Sequence, residues 1–135
     1  GSLSLYNCAS ASAQTFRGMV EAGIGECLGV LDLTGVNSLT DGLLENSVVA
    51  HCPRLRRLSL KNCRKITGSG FASLQKLVHL EAFDVGGSYN IYPADIISLV
   101  SHHPSTKKGI LTEVHASGLL WTDDLLSTLV TILRK

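Results

Sequence analysis

The chain has 135 residues, a formal net charge of +1 and 44% hydrophobic residues. That is one domain's worth of chain with enough apolar content for a core, and the near-neutral charge argues for neither nucleic acid nor a membrane surface as partner. No apolar run approaches the ~18 residues of a membrane-spanning helix.

From the N-terminus, Leu3-Ser4-Leu5 alternates like the last half of a strand. Residues 1–2 read as a tag remnant. The segment Ala13–Ala22 carries Phe16, Met19 and Val20 on one helical face, and Gly23 and Gly25 end it. The second unit, Cys27–His51, has Asp32 pointing outward between Leu31 and Leu33. Thr40 suits an N-cap, and Leu43, Leu44, Val48 and Val49 form the inward stripe of the helix that follows. In the third unit Leu58-Ser59-Leu60 is a half-buried strand exposing Arg56, Arg57 and Lys61 among apolar neighbours. Asn62, Gly68 and Gly70 mark a turn, and Phe71, Leu74 and Leu77 recur at spacings of three.

The fourth unit starts at Leu80. Gly86-Gly87 follows its strand, and Tyr89-Asn90-Ile91-Tyr92 occupies its turn, with Tyr92 either exposed there or packed under the helix start. Pro93 suits the first turn of a helix over Ala94–Ser101, which Pro104 stops. The fifth unit is irregular, with Ser105–Gly109 reading as an insertion. Its strand reads as Leu111-x-x-Val114-x-Ala116, although a register with Leu111 as the last core position keeps the period better. Thr122-Asp123 opens a last helix with Leu125, Leu126, Leu129, Val130 and Leu133 inward, and Arg134 and Lys135 favour its C-terminal end.

These units are copies of one another. Leu28-x-x-Leu31-x-Leu33, Leu55-x-x-Leu58-x-Leu60 and Leu80-x-x-Phe83-x-Val85 share one pattern, and Leu3-Ser-Leu5-Tyr-Asn-Cys8 nearly repeats Leu58-Ser-Leu60-Lys-Asn-Cys63. Equivalent positions Leu5, Leu33, Leu60 and Val85 are separated by 28, 27 and 25 residues, a leucine-rich-repeat period. Phe16, Leu44, Phe71 and Ile96 form a column of core residues, and Val49-Ala-His51-Cys-Pro53 recurs as Val100-Ser-His102-His-Pro104.

The string Cys52-Pro-x-Leu55-x-x-Leu58-x-Leu60-x-x-Cys63-x-x-Ile66-Thr67 resembles the cysteine-containing leucine-rich repeats of F-box/LRR proteins, the substrate receptors of SCF ubiquitin ligases. The resemblance covers nearly the whole chain, best over Leu28 to Phe71. It implies that Cys8 and Cys63 are small buried thiols in one stacking slot. With no Cys-x-x-Cys, the four cysteines read as reduced structural thiols rather than a zinc or disulfide set, which fits cytosol, nucleus or an organelle matrix such as the mitochondrial one. It also implies substrate recognition for a ligase. No F-box, which would supply a contact to Skp1, precedes these repeats, so the ligase connection rests on the resemblance alone. The first repeat lacks the Leu-x-x-Leu lead-in and a terminal cap, so the chain reads as a single domain over 1–135, a fragment of a longer protein or one whose edge other chains or domains cover.

Strands stack at ~4.7–4.9 Å while helices need ~8–10 Å, so the expected fold is an α/β right-handed solenoid of about five repeats, with a parallel sheet on the concave face and helices outside. Alternation along each strand then names the exposed columns. One reads Ser4, Asp32, Ser59, Asp84 and, in the first register, His115. Its upstream neighbour reads Val30, Arg57, Ala82 and Glu113, and its downstream neighbour Tyr6, Thr34, Lys61, Gly86 and Ser117.

No catalytic set emerges. His51, His102 and His103 fall at helix exits, where they are expected to be exposed or to cap carbonyls, and Gly68-Ser-Gly70 lacks the Gly-Lys-Ser ending of a phosphate loop. The chain is expected to be a non-enzymatic interaction module without cofactor or metal. Arg54, Arg56, Arg57, Lys61, Arg64 and Lys65 form a basic cluster suited to an acidic or phosphorylated protein segment, or else a solvated edge neutralised by Asp32, Asp84 and Glu81. The candidate protein-binding residues are Asp32, Thr34, Arg57, Ser59, Lys61 and Asp84, with Arg64 and Tyr89 on the adjacent turn edge. A scaffold or assembly subunit of a mitochondrial, cytoskeletal or other complex is the alternative to ligase work.

Overall fold

The computed structural model describes residues 1–5, 8 and 11–134. Tyr6 and Lys135, assigned above to an outward column and a helix end, lie outside the described residues, as does Asn7. Strands Ser2–Ser4 (β1), Val30–Asp32 (β2), Arg57–Ser59 (β3), Ala82–Asp84 (β4) and Glu113–His115 (β5) form one parallel sheet in chain order. Leu3, Leu31, Leu58, Phe83 and Val114 stand side by side. The repeated Leu-x-x-Leu-x-Leu spacing thus becomes the register, because a one-residue slip would turn every core side chain to solvent.

Pairing of Val114 with Phe83 selects the Leu111-x-x-Val114-x-Ala116 register and excludes Leu111 as the last core position. The longer step into β5 is taken up where an insertion was expected. A short helix, Pro104–Lys107, fills that step, and Gly109 closes it at φ 70°.

Among the described residues five helices connect the strands, Ala13–Glu21 (α1), Asp41–Leu43 (α2), Gly68–Phe71 (α3), Pro93–His102 (α4) and Pro104–Lys107 (α5), and a sixth, Asp123–Arg134 (α6), follows β5. Single 3₁₀ turns over Ile24–Cys27 and Ala72–Lys76 and a π turn over Leu44–Val49 complete them. The 3₁₀ geometry explains the spacing of three in Phe71, Leu74 and Leu77, since i and i+3 eclipse there. All three are fully buried. Thr40 caps α2 by accepting the Leu43 N–H at 3.3 Å. The column Phe16, Leu44, Phe71 and Ile96 is buried throughout, with Phe71 edge-on to Phe83 at 5.4 Å. No described helix is long and apolar enough to cross a membrane.

The inward stripe expected of the last helix is only half right. Leu129 is buried and Leu125 and Leu133 are half-buried, but Leu126 and Val130 are 43% and 48% exposed. Helix α6 packs on α4 along one side, and β5 is an edge strand, so half of its apolar face has no neighbour among the described residues.

Side chains also stitch one unit to the next. Cys63 Sγ lies 3.1 Å from the Leu33 carbonyl, and Ser88 Oγ, in the same slot one unit on, donates to the Leu60 carbonyl at 2.5 Å. In these two units the slot holds a small donor, whereas buried Val36 fills it in the second unit by packing alone. Burial pushes the Cys52 and Cys63 thiols up to about 11, so both stay protonated at neutral pH. All four cysteines are free.

Candidate functional site

The helices leave one face of the sheet open. Its outward columns fall where alternation places them: Asp32, Ser59, Asp84 and His115 in one, Val30, Arg57, Ala82 and Glu113 in the other. A depression of about 230 Å³ lies between these columns, with Asp32, Arg57, Ser59, Asp84, Glu113 and His115 on its walls. Thr34 and Lys61 belong to the strand ends beside it, not to its lining.

The polar column shapes the backbone as much as it faces solvent. Asp32 Oδ1 accepts the Thr34 N–H at 3.0 Å, and Asp84 Oδ1 accepts the Gly86 N–H at 2.8 Å. Ser59 Oγ accepts the Lys61 N–H at 3.4 Å and shares a 2.6 Å hydrogen bond with Thr34 Oγ1. Each short side chain captures the amide two residues on, turning the chain off the strand.

Charge is arranged differently from the sequence expectation. Arg57 is neutralised by neither Asp32 nor Asp84. Its guanidinium reaches over Ala82 to Glu113, with Nη2–Oε2 at 2.8 Å and Nη1–Oε1 at 3.5 Å. Only the small side chain of Ala82 lets the pair close across an intervening strand. His115 Nε2 stands 3.6 Å from the same carboxylate, and Glu81 pairs with Arg56 at 3.6 Å. Among the described residues Lys61, Arg64 and Lys65 have no carboxylate within 4.0 Å. Of the cluster's cations without such a partner, Arg54 precedes β3, Lys61 stands at its end and Arg64 and Lys65 lie on the turn edge.

On that edge Arg64 and Tyr89 come together, with the guanidinium carbon 5.9 Å from the ring centroid. Tyr89 and Tyr92 are both more than half exposed, which settles Tyr92 as a surface residue. Glu113 and His115 join the open face once the fifth strand has its register, and the sequence held them only in that conditional form.

Other constellations have structural jobs. A Cβ on Gly68 would lie 2.5 Å from the Asp95 carboxyl carbon, and one on Gly70 2.1 Å from Asp41 Oδ1. Carboxylates of the neighbouring units therefore occupy the space a phosphate would need. His103 meets the second arm of its expectation, contact with a carbonyl, and not the first, exposure. It is fully buried and caps α5 through Nδ1, which accepts the Ser105 N–H at 3.0 Å. Its Nε2 donates to the Leu74 carbonyl at 2.9 Å, so the ring is a neutral, bridging tautomer. His103 takes the place of buried Cys52 in the recurring Cys-Pro/His-Pro exit, which is why a polar residue turns inward here. His102 does behave as a carbonyl cap, 2.8 Å from the Ser98 oxygen, and His51 is exposed. No group of three or more metal-capable side chains occurs among the described residues.

Burial holds the His103 ring below its ordinary pKa, with the Leu74 carbonyl partly opposing the shift. The unfolded chain takes up this proton near pH ~6.5 and the folded chain does not. The histidine's contribution is therefore complete above that value and declines as pH falls below it. Urea midpoints at pH 7 and pH 5 are expected to diverge more for the parent than for His103→Gln, which keeps a donor for Leu74 without titrating. Parallel declines would remove His103 as the acid-sensitive joint.

No family model and no curated protein matches the chain. Solved structures do. The tropomodulin C-terminal domain from Caenorhabditis elegans aligns with TM-score 0.70 at 14% identity, over 98% of this chain and 81% of that one. A chain of the yeast Rad7–Elc1 complex aligns with TM-score 0.76 at 20% identity, over 94% of this chain but only 30% of its own length. The leiomodin-1 actin-binding site 2 structure aligns with TM-score 0.66 at 13% identity, over 98% of this chain and 78% of that one. The kinship is one of fold: a parallel sheet stacked unit by unit under a layer of helices, of the leucine-rich-repeat type.

Proposed function

We propose that the chain is a non-enzymatic protein-interaction module, a short right-handed leucine-rich-repeat arc of about five repeats that holds a segment of another protein on its open, concave face. The observation carrying this reading is the 230 Å³ depression walled by both acidic and basic side chains on a sheet whose strand ends are pinned by their own hydrogen bonds. Rigid, mixed-charge concavities suit recognition of a polar peptide surface more than chemistry. Within that reading, substrate recognition for an SCF-type ubiquitin ligase, reached through Skp1, is supported by the Cys-Pro-x-Leu-x-x-Leu string at Cys52–Leu58. A scaffold role is favoured instead by the likeness to the tropomodulin and leiomodin domains, the latter named for actin binding.

Affinity purification of the full-length protein and of an Arg57→Glu/Lys61→Glu variant, read by mass spectrometry, tests this. Arg57 and Glu113 are each about half exposed, so breaking their pair costs at most about 1 kcal/mol and the melting temperature is expected to change little. Binding is expected to be lost. Equal recovery of the same proteins by parent and variant would take the binding surface off the open face. Skp1 and a cullin among the recovered proteins would favour the ligase reading, and one stoichiometric complex without them the scaffold.

A further inference from the structure

The turns after β2, β3, β4 and β5 each pass through one left-handed residue: Gly35, Asn62, Gly87 and Gly118, at φ 74°, 58°, 73° and 76°. Two residues beyond each comes an exposed side chain, and these four form a second column: Asn37, Arg64, Tyr89 and Leu120. None belongs to the sheet's open face. The column changes character along the array, from amide to cation to aromatic to aliphatic. Leu120 is 83% exposed and Tyr92, beside it, 57%. Tyr89, Tyr92 and Leu120 border a shallow hollow of about 50 Å³ floored by Ile91, Pro93 and Leu119. A leucine and two tyrosines exposed around one hollow are the composition of a contact site, since aromatic anchors beside a pocket carry a large share of binding energy.

The charges give the patch a direction. On one side Arg64 and Lys65 have no carboxylate within 4.0 Å among the described residues, and on the other Asp123 and Asp124, exposed in the first turn of α6, have no such cation. The turns are also tied together, because Asn90 Nδ2 donates to the Arg64 carbonyl and the Arg64 guanidinium stands over Tyr89. We infer that this turn edge is a second, separate binding surface, for an extended segment of another protein that runs acidic, then apolar, then basic. Its acidic part lies over Arg64 and Lys65, its aliphatic or aromatic side chain enters the hollow beside Tyr89, and its basic part meets Asp123 and Asp124. Arg64 and Leu120 are two strand steps apart, ~10 Å, which about three residues of extended chain cover.

A displayed library of random peptides of about 12 residues, selected on the intact chain, tests the inference. Enriched sequences are expected to place Asp or Glu, an apolar residue, and Lys or Arg in that order along one direction of the chain. A synthetic peptide of the leading sequence is expected to bind Tyr89→Ser/Leu120→Ser at least about tenfold more weakly, as loss of its anchors requires. It is expected to bind Arg57→Glu/Lys61→Glu unchanged, and Arg64→Glu/Lys65→Glu is expected to select peptides with the acidic part replaced by a basic one. Because these side chains are exposed, all three variants are expected to melt with the parent. Several results would overturn the assignment: no enriched family; a peptide insensitive to Tyr89→Ser/Leu120→Ser; a peptide lost only with Arg57→Glu/Lys61→Glu, which moves it to the open face; or retention of a single-stranded oligouridine in its place. Concentration-dependent self-association of the parent that Tyr89→Ser/Leu120→Ser abolishes would give the patch to a second copy and equally overturn it.

Discussion

Phe71→Ala is expected to cost about 3–5 kcal/mol of unfolding free energy, the usual range for truncating a fully buried aromatic. Phe71 has no exposed surface and sits edge-on against Phe83, so it joins the helical layer of the third unit to the sheet of the fourth. An array of stacked units has few contacts beyond adjacent units to compensate, because each unit touches chiefly its neighbours. Against a total stability of ~5–15 kcal/mol, that loss at the middle unit removes a large fraction of what holds the two ends together. Trp121, the chain's one tryptophan, reports on the C-terminal end, where its Nε1 donates to the Ala116 carbonyl at 2.8 Å. In urea, Trp121 fluorescence and far-UV circular dichroism are expected to coincide for the parent and to fall at lower, separated midpoints for Phe71→Ala. A loss below about 1 kcal/mol with coincident midpoints would mean that Phe71 is not a joint between units.

The sheet was legible because its information is periodic. Leu31, Leu58 and Phe83 recur with the same flanking leucines, and a parallel stack has one register that buries them all. The column Phe16, Leu44, Phe71 and Ile96 was legible for the same reason. What escaped the pattern is what breaks it. The residues that form α5 lengthen the step into β5, so period-keeping alone would make Leu111 the last core position, where the Leu111-x-x-Val114-x-Ala116 pattern puts Ala116. The Arg57–Glu113 pair escaped because it skips a strand, although Ala82 standing between an arginine and a glutamate in one column was the available signal. From its helix-exit position His103 was expected to be exposed or to cap a carbonyl, and its alignment with Cys52 was the signal that marked a buried slot. Leu126 and Val130 fit a helical stripe but not a neighbour, and periodicity says which face is apolar without saying what covers it.

Gly70→Ala is expected to destabilise the fold by roughly 1–3 kcal/mol, as overpacking does, even though alanine is the better helix former by about 1 kcal/mol. Gly70 is buried in α3, and a Cβ there would stand 2.1 Å from Asp41 Oδ1, 2.5 Å from its Cγ and 2.8 Å from its Cβ. Asp41 has little room to retreat, because its carboxylate accepts both the Thr67 N–H at 2.9 Å and the Thr67 hydroxyl at 2.5 Å. Those bonds bind the α2 start to the α3 cap, and Gly70 is the condition for the close approach. The test is a double-mutant cycle with Asp41→Gly, which removes the three atoms nearest to the new methyl. Asp41→Gly alone is expected to lose stability through the abandoned Thr67 groups. In its background the sign of Gly70→Ala is expected to reverse, from a loss to a gain of up to about 1 kcal/mol, as helix propensity acts without the clash. The same cost in both backgrounds would show that Gly70 answers to some other constraint than the Asp41 carboxylate.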